Sequence, residues 1–246
     1  MASAAGSIQI GDRPLHIAVG AGHHNVTGGA PYEVTLTGRI CLAVVNLCRA
    51  SVGFDDRCYT PGDGLGDHPG PVDAGPHEVA TTWDPEWTVD IFHEIHAQAA
   101  PNNPNERGVF VIYPDSPADG DIDEDVRKYG PTMARILANA TGLPVGGQNG
   151  VGIMSEQWTW VGSQGQRLRV FEATASAGMR AHSCRFLSEV GCFTNAQDRA
   201  VLDRADFPDC QARGLVRAYA SLAVARMGWT FAYSIAGDTD SQGPIR

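Results

Sequence analysis

Four residues in this chain have the types and positions that metal-centred hydrolytic chemistry uses. His23 ends the apolar run LHIAVGAGH, His96 comes near the end of TVDIFHEIHA, Glu189 comes near the end of CRFLSEVG, and Glu33 stands ten residues after His23. Ligand sites in open α/β sheets lie at the carboxyl ends of strands, so three of these polar groups converge on one sheet edge. A catalytic zinc takes three protein ligands and leaves its fourth position to water, so the two histidines need a third donor. Glu33 is the acidic residue between His24 and Asp55, and a loop can bring it back to His23. Two plainer readings stand beside this one. His23 can be a hydrogen-bonded loop histidine, and Glu33 can simply favour the positive N-terminus of the helix that follows it.

The cluster HEIH does not form a helical HExxH site, because only two residues separate its histidines. On a strand, side chains alternate, which puts Asp90, Phe92, Glu94 and His96 on one face and Ile91, His93 and Ile95 on the other. His96 is therefore the expected ligand, and His93 the packed or hydrogen-bonded histidine. Glu94 shares the His96 face and is either a carboxylate that orients an imidazole or a solvated or salt-bridged acid.

Positioning these groups requires a particular set of elements. Apolar runs alternate with helical patterns, the signature of an α/β fold with a mostly parallel central sheet and helices on both faces. Residues 15–23, 88–97, 108–114 and 184–191 read as strands. EVTLTGRICLAVVNLCRA carries Leu36, Ile40, Val44 and Leu47 at helical spacing. Residues 121–142 read as a helix with acids in its first turns and a glycine at its end, and 197–229 as the closing helices. The Gly-, Pro- and Asp-rich stretch from 60 to 87, with Trp83 and Trp87, reads as a long loop at the rim of the site. Residues 1–14 form an N-terminal extension, 15–232 a single domain, and 233–246 a frayed tail.

A length of 246 residues with 43% hydrophobic content suits one sizeable core. The net charge of −10 and the absence of basic runs speak against nucleic acid as a partner. No segment is apolar enough to span a membrane, and the N-terminal residues lack the pattern of a secretory signal. The six cysteines show neither CxxC pairs nor framework spacing, and read as buried free thiols.

AVGAGHHNVTGG, Glu33 with its amphipathic helix, VDIFHEIHAQAA, GVFVIYP and FLSEVGCFTNAQDRAVL together resemble the zinc-dependent N-acetylmuramoyl-L-alanine amidases of the amidase-3 type. That family's pattern runs Asp-Ala-Gly-His-Gly-Gly, Glu, Ser-Ile-His-Ala-Asn, a Gly-Val-x-x-Tyr strand and a Glu-x-Gly-Phe-x-x-Asn block. The likeness covers about residues 15 to 228. It implies an amidase-3-like fold and one Zn2+ held by His23, Glu33 and His96. It further implies Glu189 as the catalytic acid/base, and peptidoglycan or a muropeptide as substrate. The chain departs from the pattern at Gly20, His24, Gln98 and Cys192, and in a shorter gap between His23 and Glu33. His24 is expected to point to substrate or solvent. A phage lysin or a processed bacterial enzyme acting at the cell wall fits an unexported chain. A zinc hydrolase of another amide, of carboxypeptidase or N-acyl amino acid hydrolase type, and a non-catalytic wall-binding relative are the alternative readings.

Overall fold

The computed structural model describes residues 14–23, 30–58, 89–176 and 183–227. The 60–87 loop with Trp83 and Trp87, His24, the C-terminal tail and most of the N-terminal extension lie outside these residues. The sheet contains β1 (Leu15–Ala21), β2 (Phe54–Cys58), β3 (Ile91–Gln98), β4 (Phe110–Tyr113), β7 (Ile153–Ser155) and β8 (Cys184–Cys192), in the order β2-β1-β3-β8-β4-β7. The strands β2, β1, β3 and β8 run parallel, β4 is antiparallel to β8, and β7 is parallel to β4. A small hairpin, β5 (Asp115–Ser116) with β6 (Asp121–Ile122), stands apart from it.

Strand alternation sorts the side chains onto two unequal faces. One face carries Ile17 and Val19 of β1, Ile91 and Ile95 of β3, and Phe186 and Val190 of β8. Three long helices cover it: α1 (Pro31–Ala50), α2 (Glu124–Thr141) and α5 (Phe207–Met227), with α5 packed against both others. The opposite face carries Ala18, Phe92, Phe110, Ile112 and Leu187, and among the described helices only the short α3 (Arg169–Ser176) supplies side chains to it. A short α4 (Ala196–Leu202) follows β8. Helices thus lie on both faces, as the alternating pattern predicts, and among the described residues the coverage is lopsided.

Local sequence sets the helix ends. Pro31 begins α1, where a missing N–H costs nothing, and Glu33 lies in its first turn. The Asp123 side chain accepts from Val126 N–H at the start of α2, and Gly142, at φ 80°, closes that helix in the left-handed conformation. Cys41, Cys48, Cys184 and Cys192 are buried, Cys210 is only partly buried, and the Cys58 side chain lies outside the described residues.

Candidate metal centre

His23, Glu33 and His96 come together at the carboxyl edge of β1 and β3, with donor atoms all within 4.8 Å of one another. His96 Nδ1 lies 3.2 Å from Glu33 Oε1, and His23 Nε2 lies 3.8 Å from the same oxygen. The two imidazoles meet edge to face, 4.8 Å between centroids. Glu33 reaches the site from the first turn of α1 and is fixed there, because Ala97 N–H donates to its Oε1 at 3.2 Å. The sequence-based choice of these three residues therefore describes one compact cluster.

Backbone geometry explains how β1 and β3 deliver their histidines. The chain leaves β1 through Gly22 and then His23, whose φ of 56° is a left-handed conformation uncommon for a residue with a side chain. A Cβ on Gly22 would stand 2.3 Å from His96 Nε2, so only glycine lets the turn pass the His96 ring. On β3 the pairing with β8 slips between His96 and Gln98, a bulge at the rim of the site. His96 itself pairs with Glu189, which places the fourth residue directly across the strand boundary.

The two histidines of β3 separate as alternation requires. His93 is wholly buried on the helix-covered face, with Nδ1 2.6 Å from Tyr219 Oη and Nε2 2.8 Å from Ser188 Oγ, and it stacks on Phe186. Both ring nitrogens are committed to the core. Glu94 is buried on the His96 face, with Oε1 3.2 Å from His96 Nε2. Glu94 is thus not a solvated acid, and its contact with His96 is compatible with both an ion pair and a carboxylate that orients the imidazole.

The electrostatics follow from this packing. Burial, then the nearby His96, pushes the His23 imidazole below its ordinary value, which keeps its lone pair available. Burial opposes charge on His96, but hydrogen bonds to Glu33 and Glu94 raise it to about 10. Burial drives Glu189 up to about 7, helped by Glu33 and opposed by His96. Glu189 Oε2 is shielded from solvent and has no hydrogen-bond partner among the described residues.

The cluster fits a metal ion. Two donors at about 2.0–2.1 Å from a tetrahedral zinc stand roughly 3.4 Å apart, close to the separations of Glu33 from the two imidazoles. The donor set is two imidazoles and a carboxylate, with a carboxylate behind one ring and an unpartnered carboxylate oxygen beside it. The cleft over the cluster has a volume of about 680 Å³ and lies on the sheet face that carries Phe110 and Ile112. Its walls include Phe110, Met154, Trp158, Trp160 and Phe193. Sequence reasoning passed over Trp158 and Trp160. Two tryptophans in the polar stretch SEQWTWVGSQGQ, which offers no helical or strand pattern to bury them, were the available signal.

No protein-family model matches the chain, and no curated protein matches it. Solved structures do. The catalytic domain of CwlV, an N-acetylmuramoyl-L-alanine amidase from Bacillus (Paenibacillus) polymyxa var. colistinus, aligns with 86% of this chain and 99% of its own at 17% identity and TM-score 0.59. The amidase Ami1 from Mycobacterium smegmatis aligns with 87% and 99% at 18% identity and TM-score 0.58. An N-acetylmuramoyl-L-alanine amidase from Clostridium difficile 630 aligns with 87% and 99% at 15% identity and TM-score 0.58. At these identities the likeness establishes the fold, and this chain has the fold of those amidase domains.

Proposed function

We propose that this chain is a zinc-dependent N-acetylmuramoyl-L-alanine amidase that hydrolyses the amide between N-acetylmuramic acid and L-alanine in peptidoglycan. The observation that carries this reading is the cluster of His23, Glu33 and His96 with Glu189 opposite His96 in register, set in the fold of amidase catalytic domains. His23, Glu33 and His96 would hold the ion. A zinc ion held there lowers the pKa of water bound to it toward ~7 and polarises a carbonyl oxygen.

Glu189 has the proton chemistry. Burial raises Glu189 to about 7 in the metal-free site, and a Zn2+ held beside it would favour the carboxylate, the form that accepts a proton from water. Its unpartnered Oε2 takes a proton from water as the water oxygen bonds to the amide carbon. Glu189 returns that proton to the nitrogen as the C–N bond breaks, which releases the lactyl carboxylic acid and the free amine of the stem peptide.

The test is Glu189→Gln, which retains shape and removes the base. Turnover should fall by roughly 10² to 10⁴-fold with zinc content and fold unchanged. Mass analysis of digested wall should show new L-alanine amino termini and no new reducing sugar ends. New reducing ends, or near-normal turnover in Glu189→Gln, would sink this reading and favour a hydrolase of another bond or a binding module. No helix among the described residues is long and apolar enough to cross a membrane. The site of action at the wall, by a phage lysin or a processed bacterial enzyme, belongs to the same proposal.

A further inference from the structure

Trp158 and Trp160 are 65% and 77% exposed, although each carries one of the largest apolar surfaces a side chain offers. Both line the cleft that holds the metal cluster. An exposed apolar pair beside convergent polar groups marks a place where a ligand completes the burial.

The segment that carries them is fixed before any ligand arrives. Ser155 Oγ accepts from Gln157 N–H at 3.1 Å, Thr159 Oγ1 donates to Glu156 O at 2.6 Å, and Ser163 Oγ donates to Trp160 O at 2.8 Å. A Cβ on Gly162 would stand 2.0 Å from Glu156 O, so the turn closes tightly on itself. At its root, Glu156 accepts from Arg167 Nη2 at 2.7 Å and from Leu168 N–H at 3.1 Å. The indoles are thus presented by a braced turn, and the backbone that carries them needs little ordering on binding.

The charge of the cleft selects the ligand. Its described lining contains Glu33, Glu106 and Glu189 but no lysine or arginine, and the whole chain carries −10. Stem peptides and anionic wall polymers bear carboxylates or phosphates, and away from the metal cluster the described lining offers them no lysine or arginine. A neutral pyranose presents an apolar C–H face to an indole and keeps its hydroxyls in water. We propose that Trp158 and Trp160 form a stacking subsite for neutral sugar rings of the glycan strand. It rests on the amidase reading, in which the glycan continues from the acyl side of the scissile amide.

The test uses the zinc-loaded Glu189→Gln protein and a neutral β-1,4-linked N-acetylglucosamine oligomer. Binding is read by calorimetry and by the change in tryptophan emission, with a free stem peptide as the charged comparison. Trp158→Ala and Trp160→Ala should each weaken oligomer binding by roughly tenfold, about 1.4 kcal/mol. Trp158→Phe should recover part of the loss, and stem-peptide binding should not change in any variant. On whole wall, the same Ala substitutions in the active protein should raise KM with kcat nearly constant. An unchanged oligomer Kd in both Ala variants, or no binding of the oligomer to the parent, overturns the subsite. Normal amide cleavage together with that result leaves the amidase reading intact. Trp-dependent oligomer binding in a wild-type protein that cleaves no wall amide supports the subsite and refutes the amidase reading instead.

Discussion

His96 is held at both ring nitrogens, and the carboxylate on each side decides what the ring can give to a metal. With Glu94 on Nε2, a hydrogen bond there puts the ring proton on Nε2 and leaves the Nδ1 lone pair facing Glu33 and His23. Glu94→Ala should therefore weaken zinc affinity by about 10 to 100-fold, measured by competition with a chromophoric chelator. His93→Asn, on the opposite face, should keep the parent zinc affinity and lower the melting temperature, because Tyr219 and Ser188 lose a buried partner. Unchanged zinc affinity in Glu94→Ala, or zinc loss in His93→Asn, would contradict these assignments. The departures from the amidase-3 pattern meet here as well. That pattern has Asp where Gly20 stands and Ser where Glu94 stands, and Gly20 and Glu94 are register partners on adjacent strands. His23, His96 and Glu189 could be picked out in the sequence because each polar group follows an apolar run. Alternation placed Glu94 on the correct face, but no sequence pattern says which nitrogen of His96 it meets, since that depends on a rotamer and on the close approach of Gly22.

The elements that could be read from the sequence are the long periodic helices and the apolar strands, the four-residue β4 among them. β1, β3 and β8 are apolar runs buried on both faces, and α1, α2 and α5 carry apolar residues at helical spacing over 20, 18 and 21 residues. β2, the edge strand, has the sequence FDDRC, in which three consecutive charged residues leave no apolar alternation to read. The β5–β6 hairpin has two residues in each strand, too short for any periodic signal. Long-range charge pairing, not local propensity, fixes that hairpin and the tryptophan turn. Asp121 of β6 pairs with Arg185 of β8, and its Oδ2 accepts from Arg167 Nη2 at 2.7 Å, while Arg167 also holds Glu156. Burial acts to raise the Asp121 carboxyl, but hydrogen bonds from Arg185 and Arg167 overcome it and hold the group below its ordinary 3.8. Its contribution to stability is therefore complete above that value and is lost as pH falls below it. Asp121→Ala leaves the buried Arg185 without its carboxylate and should cost about 3–5 kcal/mol. The melting temperature should drop by roughly 10 °C in calorimetry, with zinc content retained. A variant that melts with the parent would show that the network does not support the fold.

At the scale of the whole molecule, the lopsided sheet divides two tasks. Three long helices on one face supply the core, and among the described residues the cleft over the cluster is lined by Phe110, Ile112 and Met154 of the other face. The same division links metal occupancy to stability, because the cluster ties α1 to β1 and β3 through Glu33, His23 and His96. Without metal, His96 keeps a proton between Glu33 and Glu94, since those contacts outweigh burial and raise it to about 10. A folded value above the unfolded 6.5 means that this contribution is complete below pH 6.5 and is lost as pH climbs toward 10. Zinc needs the unprotonated Nδ1, so its affinity moves the opposite way and strengthens over the same window. His23 adds no competing proton there, because burial and the His96 charge hold it below its ordinary value. The metal-free protein should therefore melt progressively lower between pH 6.5 and pH 9.5, and the zinc-loaded protein should not follow it. With zinc a thousandfold above its Kd, the linkage is about 4 kcal/mol, a gap of roughly 10 °C in a domain of this size. Calorimetry with and without chelator at three pH values within that window reads the gap directly. A gap that narrows or stays constant as pH rises would mean that no proton leaves His96 when the metal binds, and that the ligand set has to be sought elsewhere.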